Sequence, residues 1–132
     1  MRLTLSTKPD TRSHQIDGVL PAWLGNVSSL TVLDVSGNMF SGEIPGQIGN
    51  LVRLEEFRPA NNSLTGSVPV EIRNCKVLRV LDLEGNRLSG QLPLFLGDLR
   101  GLTDLSPGGF WGNGEEAREA INFGGDFGGG DR

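Results

Sequence analysis

The sequence predicts an α/β-type repeat solenoid, in which a short parallel strand and an irregular return recur every 24 residues. The main observation is a set of residue columns at that spacing. These columns are Leu30, Leu54, Leu78 and Leu102; Pro21, Pro45, Pro69 and Pro93; Gly18, Gly42, Gly66 and Gly90; and Asn38, Asn62 and Asn86. The composition agrees, since 20 of the 132 residues are glycine, which is unfavourable inside long helices.

Each unit begins with a strand and ends with a short return. In the segment 78–83, Leu81 and Leu83 alternate with Asp82, which is the period-two pattern of a strand with one buried side. Asn86 follows at the bend, where its side-chain amide can satisfy backbone groups that have no other partner. The glycine and proline columns then turn the chain, and the few residues after each proline allow one short helical turn.

Composition and charge exclude several classes of protein. A net charge of −4 and an isoelectric point near 4.9 argue against a nucleic-acid-binding module, which normally carries a basic face. The single cysteine, Cys75, cannot form an internal disulfide and falls in an apolar column, so we expect a small core side chain. No apolar run approaches the ~18 residues of a membrane span, and the first ten residues lack the apolar stretch of a secretory signal. We therefore expect no nucleic-acid partner and no membrane span in this chain.

The segment 30–53, LTVLDVSGNMFSGEIPGQIGNLVR, resembles the plant-type leucine-rich repeat, LxxLxxLxLxxNxLxGxIPxxLGxLxx. Three full units fit this pattern, at 30–53, 54–77 and 78–101, and they are most similar to the extracellular domain of plant receptor-like kinases. Secreted polygalacturonase-inhibiting proteins are further relatives. The resemblance implies a horseshoe arc with a parallel concave β-sheet and short 3-10 or irregular convex returns. It also implies a protein or peptide ligand or a co-receptor as partner, no cofactor, and a place at the plasma membrane on the extracellular side.

The repeat pattern divides the chain into three segments. Residues 1–13 form a degenerate N-terminal segment, residues 14–106 hold the repeats, and residues 107–132 form a glycine-rich tail that we expect to be largely disordered. The 24-residue period places a first strand near Thr7–Ser13. Pro59 stands inside a predicted strand and cannot donate a ladder hydrogen bond, so we expect it to weaken the sheet. The cysteine-paired caps usual in this family are not visible, which favours a piece of a longer repeat protein.

The outward positions of the predicted sheet form the candidate binding surface. The polar candidates are Asp34, Ser36, Glu55, Glu56, Arg58, Arg79, Asp82 and Glu84, and the other outward positions are Thr31, Val32, Ala60 and Val80. Because neighbouring strands lie about 4.8 Å apart, Asp34, Arg58 and Asp82 should form a ladder of alternating charge. Glu55 should face Arg79 in the same manner. These charges either pair laterally across the sheet or form a polar platform for a partner.

Two short motifs suggest catalysis, and we reject both. Asp126-Phe127-Gly128 matches the magnesium-binding tripeptide of protein kinases, but the sequence lacks the other kinase motifs. The segment 112–117, GNGEEA, fits a dinucleotide fingerprint, but too little chain follows for a βαβ unit. His14 is the only histidine and falls in the asparagine column, so we expect no catalytic pair and no metal site. We therefore predict no enzymatic activity in this chain.

Two N-glycosylation sequons occur, at residues 26–28 (NVS) and 61–63 (NNS), and make Asn26 and Asn61 candidate glycan sites. They hint at an extracellular ancestry. A glycan at Asn61 would lie at the rim of the candidate binding surface. Trp23 falls on the return side of its unit, where scattered surface aromatics are normal.

The predicted function is protein or peptide recognition through the concave sheet, as a fragment of a receptor-like kinase ectodomain. One alternative is a secreted inhibitor that uses the same surface against a cell-wall polygalacturonase. A second alternative is a truncated gene product with no independent function.

Overall fold

The structure, a computed structural model, describes residues 1–5, 16–89 and 94–106. Its strands are β1 (Arg2–Thr4), β2 (Asp17–Val19), β3 (Val32–Asp34), β4 (Met39–Glu43), β5 (Glu56–Arg58), β6 (Ser63–Gly66), β7 (Val80–Asp82), β8 (Arg87–Leu88) and β9 (Asp104–Ser106). Its 3-10 helices are η1 (Ala22–Asn26), η2 (Gly46–Asn50), η3 (Val70–Asn74) and η4 (Leu94–Asp98). Strand, second strand and 3-10 helix recur in that order along the chain.

The strands form two parallel sheets. The main sheet has the order β1-β3-β5-β7-β9, and the second sheet has the order β2-β4-β6-β8. The main sheet and the 3-10 returns confirm the predicted solenoid. The second sheet was not predicted, because its strands contain the glycine column, and Gly42 and Gly66 have positive φ angles of 73° and 76° that strands normally avoid.

The apolar columns of the sequence form one continuous core. Its fully buried members include Leu30, Leu54 and Leu78; Leu33, Phe57 and Leu81; Ile48, Ile72 and Leu96; and Leu51, Cys75 and Leu99. The Cys75 thiol lies 3.4 Å from the carbonyl oxygen of Ile48, and burial raises the pKa of this thiol to about 11. The prediction of a small buried core cysteine is confirmed.

An asparagine ladder runs along the bend after each main-sheet strand. The Nδ2 of Asn62 donates to the carbonyl oxygens of Val35, Pro59 and Ala60 at 3.0, 3.0 and 3.1 Å. Its Oδ1 accepts the N–H of Phe40 at 2.9 Å. The asparagines of the units before and after make equivalent bonds. Each side chain therefore ties its own bend to the preceding unit, as the sequence predicts.

The 3-10 helices stack closely on the return side. Each begins after a proline, and the carbonyl oxygen of Pro45 accepts the N–H of Ile48 at 3.1 Å. A Cβ atom built on Gly49 would overlap the carbonyl oxygen of Glu71 in the next helix. A Cβ atom built on Gly25 would overlap the carbonyl oxygen of Gln47 in the same way. These two glycines let the helices approach backbone to backbone.

The N-terminal strand lies elsewhere than predicted. β1 pairs with β3, and Leu3 is opposite Leu33, which is 30 residues further along instead of 24. The N–H of Leu5 donates to the carbonyl oxygen of Asp34 at 2.8 Å, and both Leu3 and Leu5 pack against the core. The strand next to β3 is therefore Arg2–Thr4, where the apolar alternation that the core requires lies at residues 3 and 5, and the predicted strand near Thr7–Ser13 falls outside the described residues.

Pro59 removes one rung from the main sheet. The N–H groups of Val35 and Leu83, in the same column, donate to the next strand at 3.1 and 2.8 Å. Pro59 has no N–H, and the β5–β7 ladder has two register pairs where the β3–β5 and β7–β9 ladders have three. Its carbonyl oxygen accepts bonds from Asn62 and Asn86 at 3.0 and 2.9 Å. The sheet therefore remains continuous across the proline.

Several predictions fall outside the described residues. They are the glycine-rich tail at 107–132, most of the segment 1–13, the position of His14 and both rejected motifs. The division into three segments stays a prediction.

Candidate binding face

The outward positions of the main sheet form one continuous polar surface. In repeat solenoids of this type the parallel sheet lines the concave side, which is an extended surface suited to binding. We call this surface the concave face, and its polar members include Thr31, Asp34, Ser36, Glu55, Glu56, Arg58, Arg79, Asp82, Glu84 and Asp104. All eight polar candidates from the sequence lie on it. Asp104, in β9, was missed because the prediction used only the three full units.

Four charged residues form a neutral network at the centre of the concave face. The Nη2 of Arg79 lies 2.9 Å from Oε2 of Glu56, and its Nε lies 3.8 Å from Oε1 of Glu55. The Nη2 of Arg58 lies 3.3 Å from Oε1 of Glu56. Glu56 is thus held between two guanidinium groups, and its side chain is only 16% exposed. The predicted approach of Glu55 to Arg79 is confirmed.

Asp34 and Arg58 line up as predicted, but they do not form the lateral ion pair that was one of the two interpretations of this ladder. The register does place Asp34 opposite Arg58, but the guanidinium of Arg58 pairs with Glu56, two residues earlier on its own strand. The Oδ1 of Asp34 instead accepts the N–H and the hydroxyl of Ser36 at 3.1 and 2.7 Å. Strand spacing fixes where the backbones lie, but a long arginine side chain can reach any carboxylate on the same side of the sheet.

Three predicted outward positions are buried. Val32, Ala60 and Val80 are 8%, 2% and 4% exposed, so they offer no contact surface of their own. Val32 and Val80 flank Glu56 in register, so two short apolar side chains lie beside a longer charged one. Val32 is paired in register with Arg2 on one side and with Glu56 on the other. The accessible concave face is therefore more polar than the sequence alone indicates.

The concave face is more acidic at one end. Within the described part of the chain, Asp82 and Asp104 have no ion-pair partner, and Asp104 is exposed. Glu84 adds a third carboxylate beside them. The only arginine of β1, Arg2, lies at the opposite edge of the main sheet. Since the central network is neutral, negative charge prevails over β7 and β9.

The two sequons lie in different environments. Asn26 ends η1 on the return side, is exposed, and makes no side-chain hydrogen bond within the described residues. Asn61 follows β5 with a positive φ of 58°, and its N–H donates to the carbonyl oxygen of Glu84 at 2.7 Å. A Cβ atom built on Gly85 would overlap the Oδ1 of Asn61, so this side chain lies against the backbone of the next unit.

Other kinds of site find little support in the described ranges. No group of three or more His, Cys, Asp or Glu residues there could hold a metal ion. A search of the same residues finds no helix of the length and apolar character that a bilayer crossing needs. The concave face is the surface that we consider further for binding.

Comparisons with known proteins agree with this geometry. A model of the leucine-rich-repeat family matches residues 29–51 and 77–99. A search of curated proteins finds no match to the chain.

Solved structures of plant receptors resemble the chain more extensively. The plant peptide hormone receptor RGFR1 in complex with RGF2 has a TM-score of 0.72 and 39% identity, covering 79% of this chain and 16% of that one. The BIR3–SERK2 complex from Arabidopsis thaliana has a TM-score of 0.69 and 43% identity, covering 72% and 51%. The ectodomain of the receptor kinase SOBIR1 from Arabidopsis thaliana has a TM-score of 0.71 and 29% identity, covering 88% and 65%.

The chain thus spans less than two thirds of the length of each of these structures. It carries leucine-rich repeats of the kind found in plant receptor-kinase ectodomains, which confirms the resemblance that the sequence shows.

Proposed function

We propose that the chain recognises a protein or peptide through its concave face, as part of the ectodomain of a receptor-like kinase at the extracellular side of the plasma membrane. The observation that carries this proposal is the concave face itself, a continuous polar surface on five hydrogen-bonded strands. Among the similar structures, the Arabidopsis receptor kinase HAESA is in complex with the peptide hormone IDA and the co-receptor SERK1. The chain acts by binding, and any kinase activity belongs to a domain outside it.

The rigidity of the main sheet favours binding of an extended ligand. Each strand is tied to the next by backbone hydrogen bonds and by the asparagine ladder, so little conformational entropy is lost when a partner docks. The exposed guanidinium of Arg79 and carboxylate of Glu55 can exchange part of their long 3.8 Å pairing for contacts with a ligand.

The charge distribution specifies the partner further. Asp82 and Asp104 lie on adjacent strands, with Asp104 opposite Val80 and Asp82 opposite Ser106. A partner that places Lys or Arg side chains over this pair gains complementary charge, which raises the association rate and the specificity. We therefore infer a ligand with a basic segment at the β7–β9 end of the concave face.

A peptide array tests this function. The labelled full chain is incubated with extended peptides of equal length whose charge varies from acidic to basic, and affinities are then measured for the best binders. We expect basic peptides to bind, and Asp82→Asn/Asp104→Asn to lower their affinity about tenfold. The matched control is Asp98→Asn, an exposed aspartate of η4 on the return side, which should leave affinity unchanged.

Two outcomes would contradict the proposal in different ways. If no peptide of any charge binds, recognition through the concave face is wrong. If acidic or neutral peptides bind best, the concave face recognises peptides but the basic partner is wrong. An inhibition assay with a polygalacturonase tests the alternative function, because only an inhibitor would slow that enzyme.

The relation to a larger receptor is tested on the transcript. We expect the coding region of the full gene to hold further repeats, a membrane span and kinase motifs. A gene that encodes only these repeats would contradict a place in a receptor-like kinase. Thermal unfolding of the chain then tests the alternative of a truncated product, since a chain without a cooperative transition has no concave face.

A further inference from the structure

An exposed tryptophan stands beside the sequon of η1. Trp23 and Asn26 are three residues apart in this 3-10 helix, where side chains at positions i and i+3 eclipse each other. The indole of Trp23 is 58% exposed, and it is the largest exposed hydrophobic side chain in the described residues. A scattered surface aromatic is normal on its own, but this apolar ring lies one helical turn from a modifiable amide, where an attached sugar could cover it.

The amide of Asn26 is available for modification. Its side chain is exposed and makes no hydrogen bond in the part of the chain that the structure describes. The next residue, Val27, is half-buried and its N–H donates to the carbonyl oxygen of Leu24 at 3.1 Å, which turns the chain inward just after the asparagine. Ser28, the sequon hydroxyl, is exposed.

The combination of aromatic ring and sequon occurs in one unit. In the next unit the equivalent positions are Gln47 and Asn50, and residues 50–52 (NLV) form no sequon. These two amides, with Gly46 and Glu71, line a shallow polar groove of about 420 Å³ on the return side. Amide and carboxylate groups of this kind can hydrogen-bond to sugar hydroxyls that extend beyond the ring of Trp23.

We propose that Asn26 carries an N-linked glycan whose first N-acetylglucosamine packs on the indole of Trp23. The donor is a lipid-diphosphate-linked oligosaccharide, and the cell's glycosylation enzyme performs the transfer. The Nδ2 of Asn26 forms a bond to C1 of the sugar, the bond from C1 to the diphosphate oxygen breaks, the lipid diphosphate leaves, and one amide proton passes to base. The apolar face of the sugar then covers the apolar face of the ring.

This site lies on the return side and does not depend on ligand binding, but it rests on the extracellular location that is part of the proposed function. The glycan on η1 leaves the concave face open, whereas a glycan on Asn61 would stand at its rim. Because Asn61 already lies against Gly85, we place the functional glycan at Asn26.

The experiment uses the full chain with an added secretion signal, expressed in insect cells. Mass spectrometry of glycopeptides measures occupancy at residues 26 and 61, in the medium and in the intracellular membrane fraction. A four-way comparison of the parent, Asn26→Gln, Trp23→Ala and the double variant then measures thermal midpoints. The matched control for ring removal is Val70→Ala, which truncates a half-exposed side chain of η3, a helix without a sequon.

We expect a glycan at Asn26, and we expect Asn26→Gln to lower the thermal midpoint by about 3 °C. In the Trp23→Ala background the same change should lower it by less than about 1 °C, whereas the Val70→Ala background should keep the full shift. A fluorescence measurement checks the contact without relying on stability. In a Trp111→Phe background Trp23 is the sole tryptophan, and its emission should shift to the blue when the glycan is present.

The proposal is overturned by an Asn26 that carries no glycan in either fraction. It is also overturned if the glycan is present but its effect on the midpoint is the same with and without the Trp23 ring. A chain that is glycosylated as expected but binds no peptide would leave this proposal standing and remove only the proposed function.

Discussion

The interior and the concave face are built from the same strands, but residue type is repeated from unit to unit in the interior and varies on the concave face. The inward position of the main strands is leucine or phenylalanine in every unit and is fully buried in β3, β5 and β7. The outward position beside it changes from aspartate to arginine and back to aspartate. The interior repeats because each unit packs on the next, and the concave face varies because no neighbour constrains it. We conclude that the repeated buried residues stabilise the fold, whereas the outward residues that vary from unit to unit decide which partner binds.

The strongest test of this contrast is a truncation in the interior. Phe57→Ala removes a fully buried ring from the centre of the main sheet, so we expect a loss of about 4 kcal/mol in the free energy of unfolding. Urea unfolding measures the change. The control Phe57→Leu restores the residue of Leu33 and Leu81 and should cost about 1 kcal/mol. If both variants lose a similar amount of unfolding free energy, then the leucine found at this position in the neighbouring units cannot replace Phe57 in the core.

Loss of one asparagine of the ladder should have the second-largest effect on the free energy of unfolding. Asn62→Leu keeps the volume of the side chain, removes one of the hydrogen bonds to each of three carbonyl oxygens, and leaves the N–H of Phe40 without its partner. We expect a loss of about 3 kcal/mol in the free energy of unfolding. Asn50→Ala, an exposed asparagine of η2, is the control and should change stability by less than about 0.5 kcal/mol. Equal effects at the two positions would contradict a structural role for the ladder.

The sequence predicts the interior well because its signals are local and repeated. The spacing of leucines and asparagines is enough to place the main strands, and the asparagine bonds follow from the shortage of partners at a bend. The strand next to β3 lies 30 residues before it instead of 24, and a strict period cannot predict this change of spacing. The alternation of Leu3 and Leu5 was the signal that could have located it.

The concave face is predicted only as a set of positions. All of its polar candidates lie at outward positions, yet Arg58 pairs with Glu56 and not with the opposite Asp34, and Val80 is buried. Both errors arise because side-chain length and rotamer decide contacts between positions that the backbone spaces evenly. The second sheet was missed for another reason, since its strands hold glycines in a left-handed conformation that carries no strand signal.

A smaller effect is expected at the one position where the interior departs from its pattern. Pro59→Val supplies an N–H in the column of Val35 and Leu83, and this group can donate to the β7 strand. The added bond contributes about 1 kcal/mol, and greater freedom of the unfolded chain offsets roughly half of it, so we expect a net gain of about 0.5 kcal/mol. Hydrogen exchange should show a protected amide at residue 59. An unprotected amide would show that the backbone at residue 59 does not reach β7, so that the missing N–H of the proline is not the reason for the lost hydrogen bond.

The smallest effect on stability should come from the concave face. Arg79→Ala removes both interstrand ion pairs, but the guanidinium is half exposed and solvent screens the interaction, so we expect a change below about 0.5 kcal/mol in the free energy of unfolding. Its effect on binding should be much larger, because Glu55 loses its counter-charge, Glu56 keeps only Arg58, and the centre of the concave face becomes acidic. We therefore expect the preferred peptides on the array to become more basic. Arg100→Ala, which removes an exposed arginine from the return side, is the control and should change neither property. A large loss of stability with unchanged peptide preference would show that Arg79 stabilises the fold, as the interior residues do, and has no part in binding specificity.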